Sequence, residues 1–159
     1  MIVPAREEDV DLVIEILNEP AEWLQSKGFS TRWSKAQLVR DKFLMQIRQN
    51  EVFLAKLGEE TVGTVTLQWS DNVFWDGASQ DAGYAHKFTV RRSYAGRRIG
   101  ESMLHWAASQ ASKAGKKYLR LDCLADNNKV RVYYERAGFD HKGDTHPLGW
   151  RASLYEKRL

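Results

Sequence analysis

The sequence predicts an α/β domain in which a mixed β-sheet is flanked by helices, and three observations support this fold class. The chain has 159 residues, of which 43% are hydrophobic and 28% charged, a balance typical of a globular protein with one core. Segments of β-type composition occur along most of the chain. In the second half they alternate with helical segments, which implies parallel pairing there. Residues 1–159 are therefore expected to form one domain.

The first half predicts a strand, two helices and a hairpin. An apolar strand at residues 2–5 precedes a helix in "REEDVDLVIEILNEP", where apolar residues recur at helical spacing and Pro20 is expected beyond the helix end. A second helix is expected over about residues 35–49. "EVFLAKLG" and "ETVGTVTLQWS" are then β-rich segments separated by a turn-like "LGEE", which indicates a hairpin.

The second half continues with a loop, "SDNVFWDGASQD", and a third central strand, "GYAHKFTV". The short loop "RRSYAGRRIG" leads into a helix that begins near Arg98 and ends at Gly115. A strand in "KKYLRLDCLA", a helix in "NNKVRVYYERAG", and two strands in "FDHKG" and "WRASLYEKR" complete the chain. The total is about seven strands and four helices.

Several classes of protein are disfavoured by composition. No run of 18 apolar residues occurs, and the acidic N-terminal segment lacks the apolar region of a signal peptide, so a cytoplasmic protein is expected. The single cysteine, Cys123, lies in an apolar run and is expected to be buried. The four histidines show no metal-ligand spacing, so no metal site is predicted. The net charge of +3 is mild.

The loop "RRSYAGRRIG" is the segment richest in positive charge. Amides at the start of a helix lack intrahelical acceptors and carry partial positive charge, so they can bind an anion. Gly96 and Gly100 allow close approach of the main chain to a ligand. Four arginines surround this point: Arg91, Arg92, Arg97 and Arg98. The pattern fits a pyrophosphate cradle, a solvated charged loop or a nucleic-acid patch, although no recognised nucleic-acid module accompanies it.

Residues 84–143 resemble the core of the GNAT superfamily of acyl-coenzyme A-dependent N-acetyltransferases. That core has a strand, the motif Q/R-x-x-G-x-G/A and a helix, followed by a strand, an asparagine and a helix ending in Y-x-x-x-G-F. This chain has "FTVRRSYAGRRIGESML" and then "LRLDCLADNNKVRVYYERAGF". Aligned on Gly100, it has Ala95 where the family has Gln or Arg, and Arg98 where the family has its first glycine.

The resemblance implies the GNAT fold, with acetyl-CoA as co-substrate and no metal. It implies that the backbone of Phe88, Thr89 and Val90 pairs with the pantetheine arm, which Asn127 also contacts. It also implies that the pyrophosphate binds to a run of main-chain amides. That run comprises Ala95, Gly96, Arg97, Arg98, Ile99, Gly100 and Glu101.

Two residues are candidates for proton transfer. Tyr134 matches the tyrosine of Y-x-x-x-G-F, which in the family commonly protonates the leaving thiolate; the alternative is a residue on the core face of its helix. His86 lies two residues before Phe88 and is expected on the same strand face, where it could take a proton from the amine. Its alternative role is a packed or hydrogen-bonded strand histidine.

Candidates on the acceptor side are Trp33, Asp76 and Asp81, since an aromatic, acidic wall suits a cationic amine. The two acids could also act as the base. The alternatives are core packing for Trp33 and a solvated loop for the two acids. The leading function is acetylation of a primary amine of a small molecule by direct attack in a ternary complex. Acetylation of a protein N-terminus or lysine, and a non-catalytic module that binds acyl-CoA or nucleic acid, remain alternatives. No nucleic-acid or membrane partner is expected, and the closing strands could pair two copies into a homodimer.

Overall fold

The structure is a computed structural model that describes residues 1–28 and 39–159. Seven strands and four α-helices are found in these residues, and they follow the predicted order. They are β1 (Ile2–Pro4), α1 (Val10–Ser26), α2 (Arg40–Arg48), β2 (Val52–Leu57), β3 (Glu60–Gln68), β4 (Ala82–Val90), α3 (Ile99–Lys113), β5 (Tyr118–Leu124), α4 (Asn128–Arg136), β6 (Asp140–Thr145) and β7 (Ala152–Arg158).

The strands form one mixed sheet in the order β1-β2-β3-β4-β5-β7-β6. β1 pairs antiparallel with β2, and β2 with β3, which confirms the predicted hairpin. β4 pairs parallel with β5, as the alternation of strands and helices predicts. β7 is antiparallel to both β5 and β6, so the last two strands form a hairpin at one end of the sheet.

The chain divides into two compact units, and the first contains residues 1–66 and 87–103. In this unit α1 and α2 share a buried cluster with β2, whose members include Val13, Leu17, Phe43, Ile47 and Leu54. The helical spacing of the apolar residues therefore places one face of α1 in a core, as predicted.

Pro20 was expected beyond the first helix, and this prediction was wrong. α1 continues through Pro20 to Ser26, with Ile16, Leu17 and Ala21 buried on either side of the proline. Proline removes one intrahelical hydrogen bond and disfavours the helix interior. Burial of the apolar face on both sides of Pro20 offsets this effect. The second helix begins at Arg40, and residues 35–38 of its predicted range lie outside the described residues.

The second unit contains residues 67–86 and 104–159. Its buried side chains include Tyr84, Leu119, Leu121, Cys123 and Tyr155. Burial of Cys123 agrees with the sequence prediction. The ladder of β4 with β5 contains only three pairs, which are Ala82–Tyr118, Gly83–Leu119 and Tyr84–Arg120.

β4 does not alternate regularly along its length. Lys87 has φ of 49°, a left-handed conformation that a lysine rarely adopts in a strand. The expectation that His86 and Phe88 share a face relied on strict two-residue alternation, and the conformation of Lys87 interrupts that alternation between them.

In the parts of the chain that the structure describes, no helix combines the length and the apolar character required to span a membrane.

Candidate functional site

The loop before α3 is built from two tight turns. After β4, residues Arg92–Tyr94 form a single 3₁₀ turn, in which the amide of Tyr94 donates to the carbonyl of Arg91. Gly96 has φ of 79° and Arg98 has φ of 59°, so the backbone turns twice through the left-handed region before α3 begins. The first helical hydrogen bond is donated by the amide of Ser102 to the carbonyl of Arg98.

These turns leave a run of main-chain donors without internal acceptors. Within the described residues, no hydrogen bond is made by the amides of residues 96–101. Ala95 differs from its neighbours, because its amide donates to the carbonyl of Arg92 at 3.1 Å. The predicted run of donors therefore begins at Gly96 and not at Ala95. Six successive free amides at the start of a helix match the chemistry of an anion site.

The four arginines of the loop have different partners. Arg92 lies over the ring of Trp23 at 3.6 Å from its centroid, and Arg97 lies 5.1 Å from the ring centroid of Tyr94. The Arg98 side chain, 82% exposed, is bound to Glu101 in the first turn of α3 at 2.8 Å. Glu101 thus neutralises the positive charge of Arg98 within the first turn of α3.

Arg91 has a structural role. Its side chain is 19% exposed and forms ion pairs with Glu15 and Glu19 of α1, and its Nε donates to the carbonyl of Thr61 at 3.1 Å. Its amide also donates to the carbonyl of Val62 at 2.8 Å. Arg91 therefore fixes the end of β4 to α1 and β3, and both partner acids neutralise its charge.

His86 lies between two buried carboxylates. Its Nε2 is 3.2 Å from Asp71 Oδ2, and its Nδ1 is 3.6 Å from Asp122 Oδ1. The side chain of His86 is 17% exposed, whereas those of Asp71 and Asp122 are 4% and 1% exposed. We call these three residues the His86 cluster.

For both His86 and Asp71, burial and the neighbouring charged group shift the pKa in opposite directions. Burial disfavours the charged imidazole, but the adjacent carboxylates of Asp122 and Asp71 outweigh it and raise the pKa of His86 above its ordinary value. Burial alone would raise the pKa of Asp71, but the hydrogen bonds from His86 and from the amide of Phe74 lower it. Both shifts favour an imidazolium beside a carboxylate.

The His86 cluster connects three segments of the second unit. Asp71 lies in the loop after β3, where its Oδ1 accepts from the amides of Val73 and Phe74, both at 2.9 Å. His86 is on β4 and Asp122 is on β5, two residues beyond the last pair of the ladder between these strands. The Phe74 ring lies 6.4 Å from the His86 ring and 5.5 Å from that of Trp150.

Tyr134 is buried in α4 among aromatic rings. Its ring centroid lies 5.7 Å from Tyr133, 6.0 Å from Phe139 and 5.9 Å from Tyr155. Asn127 is the N-cap of the same helix, since its Oδ1 accepts from the amide of Val130 at 3.2 Å. The cap uses the carbonyl oxygen of the Asn127 side chain.

The acceptor-side candidates are not brought together. Asp76 is exposed, and Asp81, which immediately precedes β4, forms an ion pair with Lys117 at 3.2 Å. Trp33 lies outside the described residues. The acids in contact with His86 are Asp71 and Asp122, which sequence reasoning missed. One signal was present, because Asp122 interrupts the apolar run "YLRLDCLA", and a charge inside a strand needs a partner.

Comparison with known proteins shows the family of this chain. The model of the acetyltransferase (GNAT) family matches residues 12–139. An uncharacterized N-acetyltransferase, YesJ of Bacillus subtilis (strain 168), is 32% identical over 148 residues, covering 88% of this chain and 81% of that protein.

Solved structures share the fold. A GNAT-family acetyltransferase from Listeria monocytogenes 4b F2365 superposes with a TM-score of 0.82 at 24% identity, covering 100% of this chain and 94% of that one. The PaiA N-acetyltransferase from Thermoplasma acidophilum, solved with coenzyme A, gives a TM-score of 0.81 at 18% identity, with 100% and 98% covered. The chain therefore belongs to the GNAT family of N-acetyltransferases and has its seven-stranded fold.

Proposed function

We propose that this protein transfers the acetyl group of acetyl-CoA to a primary amine of a small molecule, by direct attack within a ternary complex. The observation that supports this proposal most directly is the run of free amides from Gly96 to Glu101 at the start of α3. Membership of the GNAT family indicates the reaction class, which is acetyl transfer. Two relatives of the same fold were solved with coenzyme A or acetyl-CoA, which supports the choice of donor.

The free amides fit a diphosphate in number and in position. A diphosphate offers several charged oxygens, and successive N–H groups at a helix start can satisfy them without a metal ion. The left-handed turns at Gly96 and Arg98 expose these donors, because they turn the chain before the helical hydrogen bonds begin. Arg97, whose guanidinium has an aromatic contact and no carboxylate partner among the described residues, adds the nearest uncompensated charge.

Acetyl-CoA supplies an acetyl group activated as a thioester. The acceptor arrives mainly as an ammonium ion and must lose a proton before its nitrogen can attack. We assign this proton to His86 in its neutral form, directly or through water. A hydrogen bond from β4 main chain, at residues 88–90, is assigned to the oxygen on which negative charge develops.

The bond between the acetyl carbon and sulfur then breaks, and the sulfur leaves as a thiolate that needs a proton. We assign this proton to the hydroxyl of Tyr134, whose ordinary pKa is close to that of a thiol. After the new bond forms, the attacking nitrogen carries one further proton, and this proton passes to the phenolate of Tyr134 as the amide is released. The products are therefore an amide and a free thiol, with one proton held by His86. The alternative role of Tyr134 is packing against the rings of Tyr133, Phe139 and Tyr155, and a variant that lacks only the hydroxyl distinguishes the two roles.

The donor site is tested by calorimetric titration of acetyl-CoA. A Gly100→Trp variant places a large side chain in the first turn of α3, and a Ser112→Trp variant places the same side chain at the exposed far end of the same helix. We expect Gly100→Trp to abolish measurable binding and Ser112→Trp to retain wild-type affinity. Equal affinities of wild type and Gly100→Trp would contradict the amide site.

The reaction is tested by thiol release with acetyl-CoA and a panel of small amines and N-terminal peptides. Turnover with small amines supports the proposal, turnover only with peptides supports a protein acetyltransferase, and binding without thiol release indicates a non-catalytic module. Tyr134→Phe is expected to lower kcat by about 10²-fold or more, as for loss of a general acid. Tyr133→Phe on the same helix serves as the control and is expected to retain activity.

A further inference from the structure

The His86 cluster contains more charge than a packed strand histidine needs. Two carboxylates and one imidazole lie together, with their nearest ligand-type atoms all within 4.8 Å of one another. Both acids are almost completely buried, and an unpaired buried carboxylate is strongly unfavourable. The arrangement therefore requires a positive charge or a shared proton between the acids.

The geometry indicates which positive charge is present. Asp71 Oδ2 faces Nε2 of the ring, whereas Asp122 Oδ1 faces Nδ1. These are ion-pair distances, and a positive charge on the ring is attracted to both carboxylates, whereas the neutral ring is not. The doubly protonated form is the one that carries this charge.

We propose that Asp71 and Asp122 are positioning residues that hold the His86 ring by its two nitrogens and favour its doubly protonated form, so that loss of a proton from this cluster controls the base required for acetyl transfer. This inference rests on the assignment of His86 as the base in the proposed function. The direction of the His86 pKa shift agrees with it, as described above.

Each aspartate is held in place independently of the histidine. The second oxygen of Asp71 is fixed by the amides of Val73 and Phe74, so the carboxylate cannot rotate freely away from the ring. Asp122 is fixed by the main-chain pairing of β5 with β7, opposite Leu154. The ring thus lies between a carboxylate fixed by two amides and one carried on a paired strand, an arrangement that suits a positioning role.

Arg120, the charged residue nearest to Asp122 along β5, is already paired. Arg120 lies two residues before Asp122 on β5, and its guanidinium binds Glu156 at 2.8 Å, the carbonyl of Ser79 and the hydroxyl of Tyr84. The charged side chains in contact with His86 among the described residues are therefore Asp71 and Asp122. The titration midpoint of His86 should therefore change when either of these two acids is removed.

The consequence for the reaction is a shift of its pH dependence. A base whose pKa is raised becomes active only as the pH rises through its own titration. The acid limb of the rate profile, measured as kcat/KM, should therefore lie at higher pH than for an ordinary histidine. Removing either carboxylate should move this limb to lower pH, because the charged ring loses a partner.

The test is a pH titration of the histidine ring signals by NMR, with His86→Gln used to assign the His86 signal. Asp71→Asn and Asp122→Asn should each move the His86 midpoint to lower pH, whereas Asp71→Glu, which restores the charge, should move it back towards wild type. His141 has a surface partner, Asp144, at 2.9 Å, and its midpoint should not change in these variants. Thermal unfolding of each variant shows that the comparison is made on folded protein.

The outcomes separate this inference from the proposed function. Unchanged His86 midpoints in both asparagine variants would overturn the inference, whatever the activity. If the midpoints move but His86→Gln retains full turnover at every pH, the effect of Asp71 and Asp122 on His86 is supported. The assignment of His86 as the base is then wrong. Elemental analysis that finds a stoichiometric divalent metal, lost in Asp71→Asn, would overturn the inference in favour of a metal site.

Discussion

His86 and Asp122 lie opposite each other two residues beyond the last main-chain pair of β4 and β5, with Nδ1 and Oδ1 3.6 Å apart. Main-chain pairing of the two strands ends at Tyr84 and Arg120, and a contact between charged side chains follows. The parallel strands are thus joined first by the ladder and then by an ion pair. The ion pair depends on pH because it requires a charged His86, whereas the main-chain hydrogen bonds of the ladder do not.

The stability of the protein should therefore depend on the charge of His86. Burial opposes the charged form, but Asp122 and Asp71 raise the pKa of His86 above 6.5, so the folded state holds this proton more tightly than the unfolded state. The resulting stabilisation is fully present below pH about 6.5 and is lost as the pH rises through the folded pKa. The unfolding free energies of wild type and His86→Gln, measured by urea denaturation, should thus converge as the pH is raised. A difference that stays constant over this range would contradict the prediction.

Asp71 gives a complementary effect at acid pH. The pKa of Asp71 is lowered from 3.8 despite its burial, because His86 and the amide of Phe74 bind the charged form. This contribution is present above pH about 3.8 and is lost as the pH falls through the folded pKa. Asp71→Asn should therefore lose less stability than wild type on acidification, as urea denaturation in the acid range would show. Asp76→Asn, an exposed position in the same loop, is the matched control and should follow wild type.

Gly63 on β3 is expected to tolerate no side chain. A Cβ at this position would lie 2.7 Å from the main-chain carbonyl oxygen of Thr89 and 3.0 Å from the sulfur of Met103. Because the nearest atom belongs to the backbone, the strand must shift to relieve the contact. Gly63→Ala should lower the unfolding free energy by about 1–3 kcal/mol, the usual range for overpacking. Thr61→Ala, on the same strand and partly exposed, should change stability by less, and an equal loss in both variants would contradict the steric argument.

Arg98 occupies a backbone conformation that favours glycine. Its φ of 59° disfavours a residue with a Cβ by about 1 kcal/mol or more, and its exposed ion pair with Glu101 contributes little. Arg98→Gly should therefore be neutral or stabilising by up to about 1 kcal/mol in thermal or urea unfolding. Arg97→Gly, at a position without positive φ, should be destabilising. A loss of stability in Arg98→Gly as large as that in Arg97→Gly would show that the conformation of Arg98 is not strained.

Arg91 should contribute to the stability of the fold and not to anion binding, because its charge is already paired with Glu15 and Glu19. It is largely buried and joins Glu15, Glu19 and the carbonyl of Thr61. Arg91→Ala should therefore lower the unfolding free energy by roughly 1–3 kcal/mol, since the partly buried Glu19 and the carbonyl of Thr61 lose the partner that Arg91 provides. Arg97→Ala, at an exposed arginine of the same loop, should have an effect within about 0.5 kcal/mol. If both variants lose the same stability, the network of Arg91 has no special role.

The order and type of the elements could be predicted because each depends on local sequence. The helical spacing in α1, the turn-like "LGEE" and the alternation of strands and helices are readable without tertiary information. The passage of α1 through Pro20 could not be read in this way, because it depends on burial of Ile16 and Ala21 on both sides of the proline. Tertiary packing overrides a local signal here.

The candidate site likewise has parts that could be predicted from local sequence and parts that depend on tertiary packing. The amides before α3 could be predicted, since a helix start after a strand exposes them wherever it occurs. The partners of His86 could not, because Asp71, His86 and Asp122 lie in three separate segments and meet only after folding. The left-handed conformation of Lys87 also has no signal in the sequence, since lysine rarely adopts it.

Burial of Cys123 has a practical consequence. It is the one cysteine in the chain, and its side chain is covered in the core of the second unit. The native surface therefore offers no competing sulfhydryl to maleimide reagents, so a cysteine introduced at any exposed position would carry a single fluorophore. Distances within the working enzyme then become accessible to spectroscopy without first removing a native residue.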